Sequence, residues 1–293
     1  MVPKAVDEAK FGLFSLPNDP AVKIAYKFVD EPHTALPVIM LSNSLSSSYS
    51  VLWNEFVEHF RDSYSIILYD QRFTGDSPLV DGFDYYNKGL TFDELADDAI
   101  AVMDHLGIAR IHAFIGLSMG ATTAVVIKAR YPNRIGKVIA CGTGLRSPPA
   151  DQDVFAPRVR TATDGPDGMK TLAPQTIDRW FPGAYGQKWL DEHSDRKAQF
   201  LEMLNGAKAE GLVACIRALQ RYDLSESLEK IRSRGEGKDL LFVAGSMDGP
   251  LPTTAQTMAK MVDAKVEIVE NCGHIVNVQN AGRFNDIVEI FLA

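Results

Sequence analysis

Short apolar runs recur along the chain at the spacing of buried β-strands. Each is rich in Val, Ile, Leu or Phe, which is typical of parallel strands covered on both faces. The runs are Leu36–Leu41, Tyr64–Tyr69, His112–Ile115, Lys137–Cys141, Leu240–Ala244 and Lys265–Val269. Two earlier stretches, Phe11–Leu16 and Val22–Val29, alternate between apolar and polar positions and predict an antiparallel hairpin at a sheet edge.

Helical patterns separate these runs. The segment Thr91–Leu106 has an apolar stripe at helical spacing, and Thr91 with Glu94 forms a capping-box pair at its start. A second helix is predicted from Ser118 to Arg130, because Pro132 follows and cannot continue a helix. This alternation of strands and helices predicts an α/β fold, with a doubly wound, mostly parallel sheet between helices on both faces.

The alternation stops between Gly144 and Gly235, where helix-like segments follow one another without a β-run. We interpret this insertion as a helical cap over the carboxyl ends of the strands, where open α/β sheets hold their ligands. A row of ordinary surface helices is the alternative. The expected organisation is a core formed by residues 1–143 and 236–293, with a cap formed by residues 144–235.

Composition and charge narrow the class of protein. The 293 residues are 46% hydrophobic and 23% charged, which is ordinary for a large globular domain. A net charge of −8 argues against a nucleic-acid partner, which needs a basic surface. No apolar run reaches the roughly 18 residues of a membrane-spanning helix, and residues 1–12 do not resemble a secretory signal. We expect a cytoplasmic protein without a membrane partner, and we leave a homo-oligomer open.

The three cysteines, Cys141, Cys215 and Cys272, are widely spaced and predict neither a disulfide framework nor a zinc site. Cys272 lies close to His274 along the chain. Residues so close in sequence rarely face each other as nucleophile and base, so a packing thiol is the better interpretation. No HExxH or clustered ligand spacing occurs, and we expect neither a metal nor a cofactor.

The strongest chemical signal is the pentapeptide GLSMG, Gly116–Gly120, with Ser118 at its centre. A G-x-S-x-G pattern by itself can arise by chance. Here it follows a predicted strand and opens a predicted helix, which is the strand–turn–helix context of an exposed nucleophilic serine. Gly116 and Gly120 provide the small flanking positions that so tight a turn requires. The alternative is that the two glycines only allow close packing of a helix on a strand.

A serine hydroxyl needs a base, which a third group must orient. Of the six histidines, only His274 follows the last predicted strand and precedes a terminal helix, so His274 is the expected base. Asp248 follows the strand Leu240–Ala244 and is the expected acid, which gives the chain order serine, acid, histidine. The loop Gly142–Gly144 after the preceding strand offers no carboxylate. A solvated loop aspartate is the alternative for Asp248.

Acyl-transfer chemistry also needs two backbone N–H groups that stabilise the oxyanion. The first is expected from Met119, the residue after the nucleophile. The second is expected from the loop Ser42–Ser46 after the first parallel strand, with Leu45 as the donor. A merely polar, serine-rich loop is the alternative.

Together these motifs resemble those of the α/β-hydrolases and, within them, the 3-oxoadipate enol-lactonases. The core motifs that carry the resemblance are LSNSL (Leu41–Leu45), YDQR (Tyr69–Arg72), TFDELADD (Thr91–Asp98), GLSMG, AGSMD (Ala244–Asp248) and Gly273–His274. Two cap segments, Gly168–Phe181 and Gly211–Leu224, extend the resemblance over most of the chain. The replacement of the usual His-Gly by Asn43-Ser44 points to the same branch.

The resemblance implies an α/β-hydrolase fold and hydrolysis of a small enol-lactone that bears a carboxylate. Ser118 would attack the lactone carbonyl to form an acyl-enzyme, and His274 would take and return the proton. Trp180 would line the pocket, and Arg146 or Arg158 would pair with the substrate carboxylate. Solvated cap charges are the alternative for the two arginines.

The chain departs from the family pattern at four positions: Ser46, Phe73 and Ala121 stand where glycine is usual, and Thr74 replaces the histidine of the usual RGHG. Phe73 is bulky and would reshape the pocket mouth, so an ester or lactone other than an enol-lactone stays open. The serine at the elbow argues against dehalogenases and epoxide hydrolases, which use aspartate there. A carbon–carbon bond hydrolase, another cofactor-free α/β-hydrolase and a ligand-binding receptor on a hydrolase scaffold are all compatible with the same triad.

Overall fold

The apolar runs pair into one sheet in the computed structural model, which describes residues 9–29, 36–149 and 153–293. The eight strands are β1 Lys10–Leu16, β2 Asp19–Val29, β3 Val38–Ser42, β4 Ser65–Tyr69, β5 Ile111–Leu117, β6 Ile135–Cys141, β7 Leu240–Gly245 and β8 Lys265–Val269. Their order is β1-β2-β4-β3-β5-β6-β7-β8. β2 pairs antiparallel with β1 and β4, and all other neighbours are parallel. The predicted fold class is confirmed, and the strand ends differ from the predicted ones by a few residues.

Helices follow most strands. Those of the core are α1 Tyr49–Leu52, α2 Asn54–Phe60, α3 Phe92–His105, α4 Met119–Arg130, α11 Leu251–Val262, α12 Val276–Gln279 and α13 Ala281–Leu292. The predicted capping box starts α3: Glu94 N donates to Thr91 Oγ1 over 3.2 Å, and Thr91 N donates to Glu94 Oε2 over 2.9 Å. This reciprocal pair satisfies donors at the helix start that have no partner within the helix.

The sheet is covered on both faces, as its apolar strands require. Alternate side chains of β3 enter different clusters: Met40 packs with side chains of α3, α4 and α11, whereas Ile39 and Leu41 pack with those of α2 and α13. Because successive strand residues point to opposite faces, a strand buried on both sides must be apolar throughout. The carboxyl ends of the strands are therefore fixed by the packed helices on both faces of the sheet.

Among the described residues, six further α-helices lie between β6 and β7. They are α5 Ala156–Thr163, α6 Gly168–Trp180, α7 Gly183–Glu192, α8 Ser194–Gly206, α9 Ala209–Leu219 and α10 Ser225–Ser233. α6 packs against α5 and α8, whereas α10 packs against α4 and α11 of the core. The helical character predicted for this region is observed, and the limits of a separate cap domain at 144 and 235 stay a prediction. Among the described residues, no helix combines the length and apolar character that crossing a bilayer requires.

A buried ion pair joins the loop after β4 to α3. Arg72 Nε donates to Asp98 Oδ2 over 2.6 Å, and Arg72 Nη2 also contacts Asp98 Oδ1. Arg72 is 7% exposed and Asp98 is 2% exposed. Burial raises the pKa of Asp98, and the Arg72 guanidinium opposes that rise. The pair therefore satisfies two charges that would be costly to bury alone.

We expect Asp98→Ala to lower the free energy of unfolding by about 3–5 kcal/mol, because it leaves a buried guanidinium without its partner. Urea denaturation measures the change. The matched control is Asp97→Ala, since Asp97 is half-exposed and pairs with Arg130 at the surface; we expect it to cost at most about 1 kcal/mol. Equal losses for the two variants would contradict this role of the buried pair.

Candidate active site

Ser118 lies at the tight turn between β5 and α4, with φ 56° and ψ −110°. A non-glycine residue adopts this backbone conformation only where surrounding packing enforces it. A Cβ atom on Gly116 would lie 2.0 Å from Gly120 O, and one on Gly120 would lie 2.4 Å from Ser42 O. Only glycine fits at both positions, so strand, turn and helix pack closely enough to hold Ser118 at the carboxyl end of the sheet.

Asp248 and His274 meet at the same edge of the sheet. Asp248 follows β7 and His274 follows β8, and the distance from His274 Nδ1 to Asp248 Oδ2 is 2.7 Å. The backbone N–H of His274 donates to Trp180 O over 2.9 Å, which fixes the loop that carries the imidazole. Both side chains are buried. Ser118, Asp248 and His274 border one cavity. Their roles as a catalytic triad stay a prediction.

The environment of His274 favours the neutral imidazole. Burial lowers its pKa below the ordinary value, and the Asp248 carboxylate opposes that effect. The nearby guanidinium groups of Arg179 and Arg158 lower the pKa further. His274 Nε2 is buried and has no hydrogen-bond partner in the described part of the chain. A neutral ring whose Nδ1 faces a carboxylate has a free Nε2 lone pair, which can accept a proton.

Of the two residues expected to supply oxyanion donors, Met119 directly follows Ser118 in the chain. Met119 is the first residue of α4, and the N–H groups at a helix start have no acceptor within the helix. Leu45 borders the cavity together with Ser118. Gly120 N donates to Asn43 O over 2.9 Å, which ties the loop after β3 to the first turn of α4.

A buried network holds that loop in place. Asn43 Nδ2 donates to Asp70 Oδ1 over 2.9 Å, and Trp53 Nε1 donates to Asn43 Oδ1 over 2.9 Å. Asp70 also accepts from the backbone N–H groups of Tyr49 and Asp76. Burial raises the pKa of Asp70 to about 7, although these donors oppose the rise. The sequence analysis did not predict this network. Asn43 lies in the LSNSL motif and Asp70 in the YDQR motif, so the two motifs that resemble the lactonases were the available signal.

The cavity has a volume of about 1160 Å³. Its walls come from the loop after β6, from α5, from the end of α6 and from the first half of α11. Parts of the helical insertion therefore border the same cavity as Ser118, Asp248 and His274. That the insertion forms a cap over the strand ends stays a prediction.

Three arginines border this cavity, and they differ in their partners. Arg146 is exposed, and its Nε lies 3.7 Å from Asp223 Oδ2, so a carboxylate already accompanies it. Neither Arg158 nor Arg179 has an ion-pair partner among the described residues, and Arg179 Nε is buried without a hydrogen bond. Burial and the neighbouring Arg158 lower the pKa of Arg179 to about 9. The Asp248 carboxylate opposes this fall in the pKa of Arg179 without forming an ion pair with it. A guanidinium without an ion-pair partner in a cavity wall is suited to bind an anion.

The sequence reasoning selected Arg158 but missed Arg179. The available signal was its place beside Trp180 in a cap segment that resembles the lactonases. Only the folded chain shows that Arg179 faces the cavity, whereas Arg146 lies at its rim.

Trp180 and Phe73 lie elsewhere than the resemblance implied. Trp180 is not among the residues that border the cavity; its indole is fully buried and packs edge-on against Phe200, with ring centroids 6.0 Å apart. Phe73 is also absent from the cavity wall and packs against Phe83 and Tyr85. The end of α6 directs the indole towards α8, so Trp180 contributes its carbonyl to the His274 loop rather than a pocket surface.

Known enol-lactonases are similar to this chain in sequence and in fold. A 3-oxoadipate enol-lactonase of Acinetobacter baylyi is 29% identical over 257 residues, which cover 86% of this chain and 87% of the relative. The crystal structure of an enol-lactonase from Burkholderia xenovorans has a TM-score of 0.79 at 28% identity, covering 96% of this chain and 99% of the other. A meta-cleavage product hydrolase from Pseudomonas fluorescens, at 21% identity, TM-score 0.65 and 96% coverage of both chains, shares the fold.

The chain is thus similar to 3-oxoadipate enol-lactonases over most of its length. A family model of the α/β-hydrolase fold matches residues 37–281. That range contains every strand of the parallel part of the sheet, as well as Ser118, Asp248 and His274. This chain belongs to the α/β-hydrolase fold family.

Proposed function

We propose that this chain is a serine hydrolase that cleaves a small lactone or carboxylic ester through an acyl-enzyme intermediate. The observation that carries the proposal is the Asp248–His274 pair, which borders the same cavity as Ser118 on its strained turn. A serine at a helix start, a neutral base with a free nitrogen and an orienting carboxylate are the groups that acyl transfer needs.

The proposed reaction has two halves. Ser118 Oγ attacks the carbonyl carbon while His274 Nε2 takes the hydroxyl proton, and Asp248 stabilises the imidazolium that forms. The N–H groups of Met119 and Leu45 stabilise the oxyanion. His274 returns the proton to the leaving oxygen, which in a lactone stays attached to the acyl group. A water molecule, deprotonated by His274, then attacks the acyl-enzyme and releases the acid with Ser118 restored.

Two observations support an anionic substrate. Arg158 and Arg179 border the cavity without carboxylate partners among the described residues. A substrate carboxylate would compensate both charges, and a guanidinium can bind it through two parallel hydrogen bonds. The names of the enol-lactonase relatives point the same way. A carboxylate-bearing enol-lactone is the substrate we propose first, because ketonisation of the released enol makes ring opening effectively irreversible.

The nucleophile is tested with Ser118→Ala. We expect the variant to lose sustained hydrolysis of p-nitrophenyl acetate by roughly 10⁴-fold or more, because no other group can form the acyl-enzyme. Thermal unfolding should show an intact fold. A ligand-binding receptor on the same scaffold would instead give only a stoichiometric release of nitrophenol in the wild type. Turnover by Ser118→Ala at the wild-type rate would overturn the assignment.

The anion site is tested with Arg179→Met. For mono-p-nitrophenyl succinate, whose free carboxylate can pair with the guanidinium, we expect kcat/KM to fall by about 10- to 100-fold, equivalent to about 1.5–3 kcal/mol for a charged hydrogen bond. For the neutral p-nitrophenyl butyrate the loss should be smaller. Arg160→Met is the matched control, because Arg160 lies on α5 at the surface. Equal losses on both esters would remove the case for carboxylate binding.

The base is tested through the pH dependence of kcat/KM on a neutral ester. Neutral His274 is the active form, and its pKa is lowered mainly by burial. Activity should therefore persist as pH falls below the ordinary histidine pKa of about 6.5, and it should be lost only through the lowered pKa. Arg179→Met should move this midpoint upwards, because it removes a positive charge that disfavours the imidazolium. A midpoint above the ordinary value would contradict the environment described for His274.

A further inference from the structure

The cavity continues along α11, away from the reacting groups. Leu251, Thr254 and Thr257 lie on successive turns of this helix and border the cavity. Residues spaced by three lie on one helix face. At 1.5 Å per residue, the six-residue step from Leu251 to Thr257 spans about 9 Å. The cavity is therefore extended in one direction beyond Asp248, which Gly249 and Pro250 separate from the start of α11.

Two of the three threonines by which α11 borders the cavity have committed hydroxyl hydrogens, whereas the third, Thr253, is exposed. Thr254 Oγ1 donates to Pro250 O over 3.0 Å, and Thr257 Oγ1 donates to Thr253 O over 2.9 Å. Each hydroxyl donates its single proton to the carbonyl one turn earlier. The methyl group and the lone pairs of the hydroxyl oxygen remain for contact with a ligand, so Thr254 and Thr257 offer it an apolar group but no donor.

The loop after β6 contributes both apolar and polar side chains, because Arg146 and Ser147 border the cavity between Leu145 and Pro148. Leu145 and Pro148, from the loop after β6, border the same cavity. We name the five residues Leu145, Pro148, Leu251, Thr254 and Thr257 the α11 arm. Val154 lies at the edge of the cavity and is 55% exposed, although it is a large apolar side chain.

The two arginines without ion-pair partners among the described residues lie in a different region, whereas Arg146, between Leu145 and Pro148, is accompanied by Asp223. Arg158 and Arg179 also border a small second cavity behind Leu45, and no residue of α11 borders that second cavity. The unpaired positive charges thus adjoin the loop after β3 and α6, whereas the α11 arm has no charged member. A ligand that fills both regions must be amphiphilic.

We propose, building on the serine hydrolase function above, that the substrate bears an apolar chain or ring that lies along the α11 arm, in addition to its anionic group. Cavities that enclose drug-sized ligands measure about 300–1000 Å³, and this one measures about 1160 Å³. A compact lactone would leave the arm in contact with water, and its apolar lining would contribute nothing to binding. The substrate class is an amphiphilic lactone or ester.

The first experiment compares chain lengths in the wild-type enzyme. The probes are p-nitrophenyl acetate, butyrate, hexanoate and octanoate, and a parallel series of γ-alkyl butyrolactones. We expect kcat/KM to rise along at least one series, by up to about fourfold per methylene, which is the factor for a fully buried methylene. Equal kcat/KM values along both series would overturn the proposal, while Ser118-dependent turnover of the acetate would leave the hydrolase function standing.

The second experiment blocks the α11 arm at two different distances from Leu251. Thr254→Phe fills the arm about one turn from Leu251, and Thr257→Phe fills it about two turns away. Thr254→Phe should reduce the octanoate-to-acetate ratio of kcat/KM most, and Thr257→Phe should affect only the longest chains. Gln256→Phe is the control, because Gln256 is exposed on α11 and does not border the cavity. The same ratio in all three variants would overturn the proposal.

A binding measurement keeps the proposal testable without catalysis. Calorimetry of Ser118→Ala with butyrate, hexanoate, octanoate and decanoate should show affinity that rises with chain length, and Thr254→Phe in that background should abolish the rise. If neither enzyme series is turned over but this binding is seen, the hydrolase function fails and the amphiphilic site stands. Affinity independent of chain length would overturn the amphiphilic site.

Discussion

The close packing of three backbone segments around Ser118 positions the groups of the candidate active site. β5 enters the turn, α4 leaves it, and the loop after β3 packs against both, with Gly116 and Gly120 at the contacts. An outlying backbone conformation such as that of Ser118 costs on the order of 1–3 kcal/mol. The two buried layers on the sheet supply the packing that holds it. The hydrogen bond from Gly120 N to Asn43 O transmits the same restraint to the loop that carries Leu45.

Arg158 and Arg179 give the cavity wall positive charge without an ion-paired carboxylate in the described part of the chain, and this charge also acts on His274. Binding of an anionic substrate would therefore affect the catalytic base. The guanidinium groups of Arg158 and Arg179 lower the pKa of His274, and they lie beside the cavity without carboxylate partners among the described residues. A bound carboxylate would neutralise part of this positive charge. It would therefore make the imidazolium easier to form when Ser118 loses its proton. Through the arginines that would bind its carboxylate, the proposed substrate would raise the pKa of His274.

Most of the fold could be predicted from the sequence because its signals are local. Strands covered on both faces must be continuously apolar. The capping box of α3 depends only on Thr91 and Glu94, which lie three positions apart. The short helices α1 and α2 were missed, since a few turns of mixed apolar and polar residues resemble a loop. The family resemblance implied that Trp180 lines the pocket, but in the structure its indole packs against Phe200. The direction of a side chain from a helix end depends on neighbours far away in sequence.

The sequence by itself determined the α/β class, the strand–turn–helix around Ser118, and the chain order in which Ser118, Asp248 and His274 occur. Each depends on residues adjacent in the chain, or on the rule that parallel strands end at one edge of a sheet. The tertiary structure alone decided that Arg179 borders the cavity, that Asn43 meets Asp70 and Trp53, and that α11 lines an apolar arm. Those contacts join residues far apart along the chain, and periodicity carries no information about which distant side chains meet.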